Sequence, residues 1–381
     1  MAGTILVRYG ELALKSERVR RGFERRLIGN IRAALEGIAH GLKRERGRIF
    51  VETSSTEAAI ERLVRVPGVV SVSPALRTSA TLEAMTSTAL RVAREVLKPG
   101  MSFAVRTRRT GEHEFTSRDV DVAVGSAILE EIPGVKVDLS SPSKEISIEV
   151  RGKDAYVYTE VLRGPGGLPL STQGTVVALL SGGMDSPVAA WLMMKRGCRV
   201  VLVHLDAKPY SDAKALAIEA ARSLSGWAAG VGMVLYVVPY GEVLRAIVER
   251  APRRLVCVLC KRGMYKAAEM VAAREGALGL VTGEVLGQVA SQTLANLRVL
   301  DAAVSLPVFR PLLGLDKVEV EGIARRLGTY EISTKLAAPC RAAPKRPETR
   351  ADLNRVLEAE RKLGLEPLLE GALRRAERIS F

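Results

Sequence analysis

Three of the four cysteines in this 381-residue chain sit where thiol chemistry is conceivable. Cys257 and Cys260 stand three apart in the run LVCVLCKRG, followed at once by Lys261 and Arg262, and Cys340 lies 80 residues farther on in APCRAAPKRPET. A Cys-x-x-Cys pair serves as a redox couple, as half of a metal site, as a disulfide, or as two small apolar residues in a core, and the stretch alone does not choose among these. The fourth cysteine, Cys198, opens the apolar run CRVVLVHL and reads as a small buried residue.

A second constellation is ALLSGGMDSPVAA, which places Ser181, Gly182, Gly183, Met184, Asp185, Ser186 and Pro187 between an apolar run and a helical one. Adjacent glycines allow a tight turn and let backbone N–H groups approach an anion with no Cβ in the way. The helix start adds its dipole and unpaired N–H groups, and proline suits a first helical turn. This is a phosphate cradle, but no Gly-Lys-Ser/Thr follows, so it is not the Walker A form. Asp185 is the candidate ligand for Mg²⁺ or its water shell. The spelling S-G-G-x-D-S directly after such a strand resembles the pyrophosphate loop (PP-loop) of ATP pyrophosphatases, which split ATP into AMP and pyrophosphate. The resemblance implies that Ser181, Gly182, Gly183, Asp185 and Ser186 serve the phosphates and their metal.

The elements that must position these residues fall into three textures. From the N-terminus, TILVRYG, RIFVET and GVVSVSPALR read as strands and alternate with two helices. The first helix carries Phe23, Leu27, Ile31 and Leu35 as its apolar stripe and Arg18, Arg20, Arg21, Arg25 and Arg26 as a basic face. The order β-α-β-α-β suggests a ferredoxin-like α+β layer. From about residue 76 come LEAMTSTALRVAREVL and SRDVDVAVGSAILEEI as helices, with strands at SFAVRTRR, KVDLS, EISIEVRG and AYVYTEVLRG. The tract GPGGLPLSTQG then breaks the pattern as a linker. Beyond it TVVALL, CRVVLVHLDA, MVLYVVPY and ALGLVTGE alternate with helices such as SPVAAWLMMKRG, GMYKAAEMVAAREG and KVEVEGIARRLG, which predicts a doubly wound parallel-sheet α/β domain. The fold class expected is therefore multidomain, α+β followed by α/β.

The net charge of +15 makes a polyanionic partner plausible. Residues 1–75 carry 14 basic against 8 acidic side chains, 76–171 carry 13 against 13, and 172–381 carry 30 against 21. In the neutral middle, Arg106, Arg108, Arg109 and His113 still cluster beside Phe115, Thr116 and Ser117, a set suited to a phosphate backbone and an unstacked RNA end. Arg21 and Arg25 on the first helix are further candidates for phosphate contact. No apolar run reaches the roughly 18 residues of a membrane span, and the N-terminus shows no signal peptide, so the expected location is the cytoplasm, with no membrane partner. Asparagine and glutamine are scarce beside Arg and Glu, which suggests a thermophile.

Across nearly its whole length the chain resembles the tRNA 4-thiouridine synthetase (ThiI) family, in RYGELALKS, FAVRTRRTGEHEFTS, VDLSSPSKEISIEVRGKDAYVYTE, GGLPLSTQG, LVTGEVLGQVASQTLANL and RPLLGLDKVEVEGIARRLGTYEIS. The resemblance implies an N-terminal ferredoxin-like domain over 1–75, a tRNA-binding THUMP domain over 76–171 and a PP-loop ATP pyrophosphatase domain over 172–381. Ser171 stands where the family usually has glycine, a departure that looks minor in the sequence. The implied ATP contacts are Leu179, Leu180, His204, Leu205, Lys261, Gly283 and Gln292, with Lys261 facing the α-phosphate. The implied chemistry is adenylation of a tRNA uridine at its C4 oxygen, then displacement of AMP by sulfur. Many bacterial members carry a rhodanese domain with a persulfide cysteine after this point; here only the helical RADLNRVLEAERKLG region follows Cys340, so that relay is not expected. Cys257, Cys260 and Cys340 instead resemble the three thiols of archaeal-type members, which bind an iron–sulfur cluster. A [4Fe–4S] cluster so held keeps one iron free for exogenous sulfide, or sulfur from another external donor. A Cys260–Cys340 disulfide or persulfide relay, and a zinc site, are the alternatives. The family resemblance also implies a homodimer in which one subunit presents tRNA to the other.

Overall fold

The computed structural model describes residues 3–11, 16–45, 47–335 and 340–381. Its elements divide into two compact units, Met1–Leu14 with Ala34–Val64 and Val69–Gly166, and Lys15–Ala33 with Arg65–Gly68 and Gly167–Phe381. The three modules expected from the sequence are thus grouped as two by their packing.

The first unit is built on one sheet of nine strands: β1 (Gly3–Arg8), β2 (Gly41–Glu45), β3 (Arg48–Thr53), β4 (Ser71–Ser79), β5 (Ser102–Thr110), β6 (Lys136–Val137), β7 (Lys144–Arg151), β8 (Asp154–Tyr158) and β9 (Leu162–Arg163). Their order is β2-β3-β1-β4-β8-β7-β5-β6, with β9 against β4. β4 explains why two expected modules share a sheet. Its first half pairs with β1, through Leu6↔Ser73, and its second half pairs with β8, through Leu76↔Val157. The run AYVYTEVLRG, expected as one strand, is split into β8 and β9.

Of the helices, α1 (Glu17–Ala34) belongs by packing almost wholly to the second unit, whereas α2 (Thr56–Leu63), α3 (Leu82–Val96) and α4 (Ser117–Glu131) stay in the first. Asn30 on α1 donates to the Leu170 carbonyl at 3.3 Å. At Gly230 a Cβ would stand 2.7 Å from that of Ala33, so this loop needs glycine for close approach as well as for its positive φ. Ser171 has φ +64°, the left-handed region where a Cβ costs about 1 kcal/mol or more, so the family's glycine there has a conformational reason.

The second unit's sheet orders its strands β14-β13-β10-β11-β12-β15, from β10 (Thr175–Leu179), β11 (Arg199–Asp206), β12 (Val234–Pro239), β13 (Leu280–Val281), β14 (Val308–Phe309) and β15 (Glu377–Ser380). All pairs are parallel except β12 with β15, which closes one edge and has no counterpart in the sequence reading. The helices are α5 (Asp185–Lys195), α6 (Lys214–Ser225), α7 (Gly241–Arg250), α8 (Val256–Glu275), α9 (Leu294–Asp301), α10 (Lys317–Leu327), α11 (Tyr330–Thr334), α12 (Leu353–Leu363) and α13 (Leu365–Arg374). α8 begins earlier than the sequence pattern suggested, so Cys257, Cys260 and Lys261 lie on a helix and not after a strand.

Arg262 anchors that helix. It is 1% exposed, its Nη2 and Nε reach Glu360 Oε2 at 2.6 and 3.2 Å, and its Nη1 donates to the Val299 carbonyl. One guanidinium thereby ties α8 to α9 and α12. Truncating it strands a buried carboxylate that only Lys266, at 3.3 Å, still neutralises. Arg262→Ala is therefore expected to destabilise the second unit by about 3 kcal/mol, at the lower end for a broken buried pair. Urea unfolding of the intact chain checks this, and the Arg262→Ala/Glu360→Ala double variant should lose less than the sum of the two single ones.

Candidate active site

The carboxyl ends of β10, β11 and β13 open into a cavity of about 380 Å³, where doubly wound folds place their ligands. Ser181, Gly183, Asp185 and Ser186 of the loop line it, with Leu179, Leu180, His204 and Leu205 from the strand ends, and Lys261, Gly283 and Gln292. Cys260 and Cys340 line the same cavity.

The loop is closed by its two serines. The Ser181 N–H donates to Ser186 Oγ at 2.8 Å, the two hydroxyls are 2.9 Å apart, and the Gly183 N–H reaches Ser181 Oγ at 3.2 Å. No side chain caps the N-terminus of α5, which leaves its first N–H groups for an anion. Gly182 has a packing reason instead: a Cβ there would stand 3.1 Å from those of Ala213 and Leu216. Gly283 is constrained by the loop itself, since its Cβ would lie 2.6 Å from the Ser186 nitrogen and 2.8 Å from the Asp185 carbonyl carbon. A bulkier residue there would displace the phosphate loop.

Burial pushes the Asp185 carboxyl up, against a hydrogen bond from Gln288 and the charge of Lys317 at the start of α10. His204 is 5% exposed, and its Nδ1 is 2.9 Å from the Leu180 carbonyl. A carbonyl only accepts, so Nδ1 carries the proton. Burial holds the ring's pKa below its usual range, which keeps it neutral and leaves Nε2 as an acceptor.

Lys261 is not a free cation. Its Nζ donates to Glu284 Oε1 at 3.0 Å. Glu284, 5% exposed, also accepts from Tyr265 (2.6 Å), Thr282 (3.0 Å) and Arg310 (2.8 Å). Burial would raise its pKa, but Lys261, Tyr265 and Arg310 together bring it below the ordinary glutamate value. Sequence reasoning missed Glu284, Tyr265, Arg310, Gln288 and Lys317. The one available signal was an acid directly after Gly283 at the end of an apolar strand.

All four cysteines are free thiols. Cys257 and Cys260 are nearly one turn apart on α8, and Cys340 is exposed. Burial pushes the Cys260 thiol up to about 12, with Cys340 and Cys257 adding to the rise; Cys257 is raised by burial and by Cys340. Among the described residues, no group of three His, Cys, Asp or Glu side chains is gathered tightly enough to hold a single metal ion. Cys198 is 5% exposed in a separate apolar core, as expected.

The predicted RNA contacts are dispersed. Arg106 and Arg108 lie within β5, not between strand and helix, and line a polar cavity of about 450 Å³ in the first unit with Arg8, Ser147 and Tyr158. Arg109 turns back to the His113 carbonyl at 3.3 Å, and His113 Nε2 sits 2.8 Å from the Gly152 carbonyl. Arg21 pairs with Glu17, and Arg25 is exposed on α1.

The profile of the family described as "Thiamine biosynthesis protein (ThiI)" matches residues 171–365. Those of the ThiI ferredoxin-like domain and the THUMP domain match 4–73 and 79–160. The chain is 44% identical to a "Probable tRNA sulfurtransferase" of Methanosarcina mazei, over 98% of this chain and 94% of that one.

The chain belongs to the ThiI family.

A further ThiI relative, a "Probable tRNA sulfurtransferase" of Methanothermobacter thermautotrophicus, is 44% identical over 95% of this chain and 94% of its own length. Among solved structures, a 4-thiouridine synthetase in complex with RNA and bound ATP superposes with a TM-score of 0.90 at 30% identity, covering 100% of both chains. No helix among the described residues is long and apolar enough to cross a membrane.

Two outcomes follow from the cavity walls. Gly283→Ala is expected to weaken ATP binding at least about tenfold and to cost about 1–3 kcal/mol of stability, because the loop backbone must yield; calorimetric titration and thermal melting measure both. In metal-free protein near neutral pH, iodoacetamide should modify Cys340 quickly and Cys260 hardly at all, because so little of a thiol pushed to about 12 is thiolate. Mass spectrometry of the alkylated peptides reads the ratio.

Proposed function

We propose that the chain is a tRNA uridine 4-sulfurtransferase that activates the base with ATP and then replaces oxygen by sulfur. The observation that carries this reading is that one cavity is lined by both the phosphate loop and two thiols, with Lys261 and Gly283 among its other walls. Activation and sulfur delivery therefore share a single chamber.

The uridine O4 attacks the α-phosphorus, the bond to pyrophosphate breaks, and the N3 proton is lost as C4 becomes adenylated. The Ser181–Ser186 loop and the uncapped start of α5 hold the phosphates by backbone N–H groups. Lys261, fixed by Glu284, offers its ammonium to the charge that gathers at the α-phosphate. His204 Nε2 accepts from a donor on the nucleotide. A sulfur nucleophile then adds at C4, the C4–O4 bond breaks and AMP departs.

Asp185 together with phosphate oxygens fits Mg²⁺, which commonly takes one or two carboxylates plus substrate phosphates, and the ion would neutralise the leaving pyrophosphate. Cys257, Cys260 and Cys340 fit an iron–sulfur cluster better than a single ion: they are too dispersed for one ion, yet Cys340 opposes the ionisation of both Cys257 and Cys260, a burden that a cationic centre relieves. A cluster bound there would supply a site for sulfide as the nucleophile. We take tRNA to engage Arg106 and Arg108 in the first unit, and Arg21 and Arg25 on α1, and the working enzyme to be a cytoplasmic homodimer.

Anaerobically reconstituted protein given ATP, sulfide and unmodified tRNA is expected to yield AMP, pyrophosphate and 4-thiouridine, read by nucleoside mass spectrometry. Lys261→Ala should slow AMP formation by about 10²–10³-fold, the usual effect of losing one transition-state donor. Cys257→Ala should lose bound iron and acid-labile sulfide while still binding ATP. A 2-thiouridine product, or no thiolated nucleoside, would sink the reading.

A further inference from the structure

At the thiol end of the cavity the fold exposes a group of cations, most of which have no ion pair among the described residues. The segment from Cys340 to Ala351 is pinned through its backbone. Arg341 N–H donates to the Tyr210 carbonyl at 2.9 Å, and Glu348 N–H to the Arg254 carbonyl at 3.1 Å. Asn296 clamps the far end, donating to the Glu348 carbonyl at 2.8 Å and accepting from Ala351 N–H at 3.0 Å. These bonds hold the segment beside the turn that leads into α8, where Arg253 and Arg254 precede Cys257.

The result is a rim of six exposed cations, Arg253, Arg254, Arg341, Lys345, Arg346 and Arg350, with Glu348 the single acid between Cys340 and Ala351. Among the described residues only Arg254 is ion-paired, with Glu348 at 3.4 Å. Like charges fixed together raise the energy of the free protein and favour a polyanion that covers them. Five of the six are arginines, whose planar fork suits phosphate oxygens.

We propose that this rim seats the phosphate backbone of the tRNA segment flanking the target uridine, so that the base enters the cavity between the ATP loop and the thiols. The identity of the base rests on the thiolation reading above; the RNA contact itself does not. Such contacts set position and register without reading sequence.

Binding of full-length protein to an unmodified tRNA transcript, titrated from roughly 50 to 200 mM salt, tests the rim. K345Q/R346Q and, separately, R253Q/R350Q should each weaken tRNA binding roughly tenfold. Each should also flatten the slope of log affinity against log salt by about 1.4–1.8, since each of the two phosphate contacts contributes about 0.7–0.9. ATP affinity and the thermal transition should stay at wild-type values, and R346E should weaken tRNA binding more than R346Q. Ethylation interference should place the lost contacts at phosphates beside the thiolated uridine. Wild-type affinity and slope in both double variants, or lost contacts confined to phosphates remote from that uridine, would overturn the proposal. If wild-type protein binds tRNA with this salt dependence but thiolates nothing, the reaction reading fails while the rim's contact with RNA stands.

Discussion

Glu284 lies at the carboxyl end of β13, almost sealed from solvent, and accepts hydrogen bonds from Lys261, Thr282, Tyr265 and Arg310. A buried carboxylate is tolerated only when its charge and lone pairs are met, and here two cations and two hydroxyls meet them. The consequence is geometric. Lys261 comes from α8, Arg310 follows β14, and both are drawn to one point beside Gly283 and the phosphate loop. Arg310 is itself braced by Asp301 at 2.5 Å, which carries the constraint to the end of α9. Free lysine rotamers would spread the ammonium over many positions, and the carboxylate removes that freedom.

The thiols follow an opposite electrostatic logic. Cys260 is half-buried in the cavity wall, and burial together with its two sister thiols opposes its ionisation, with only partial relief from Tyr240 and Lys261. Tyr240 donates to the Cys260 carbonyl at 2.9 Å, and at Gly263 a Cβ would stand 2.3 Å from the Tyr240 hydroxyl, so this stretch of α8 is tightly packed around the thiol. A metal centre bound there would have to displace those protons, because metal binding and deprotonation are linked. The same cavity therefore has a charged end beside the phosphate loop and a protonated end at the thiols.

Much of this was legible in the residues. The phosphate loop was readable because its chemistry is local: two glycines, an acid and a helix start must be contiguous to cradle phosphate. The parallel sheet was readable because strands buried on both faces must be apolar throughout. Element boundaries were weaker where partners lie far along the chain. The start of α8 was missed because LVCVLC is a short apolar run that fits strand or buried helix equally until Arg262 finds Glu360, 98 residues away. β15 was missed because ERIS carries little strand pattern and is an edge strand only by pairing with β12.

The sequence by itself determined the loop, the number of thiols, the basic charge and the family, since each depends on residue type and near spacing. Only the tertiary structure decided that Lys261 answers to Glu284, that Gly283 is required by the backbone of Asp185 and Ser186, and that α1 up to Ala33 groups with the second unit. It also decided where the run LVCVLCKRG sits: Cys260 shares a cavity wall with Cys340 from 80 residues on, Lys261 donates to Glu284 beside the phosphate loop, and Arg262 holds the helix in place. Those assignments depend on long-range contacts between polar groups, and a buried charge chooses its partner by distance in the fold, which spacing along the chain does not record.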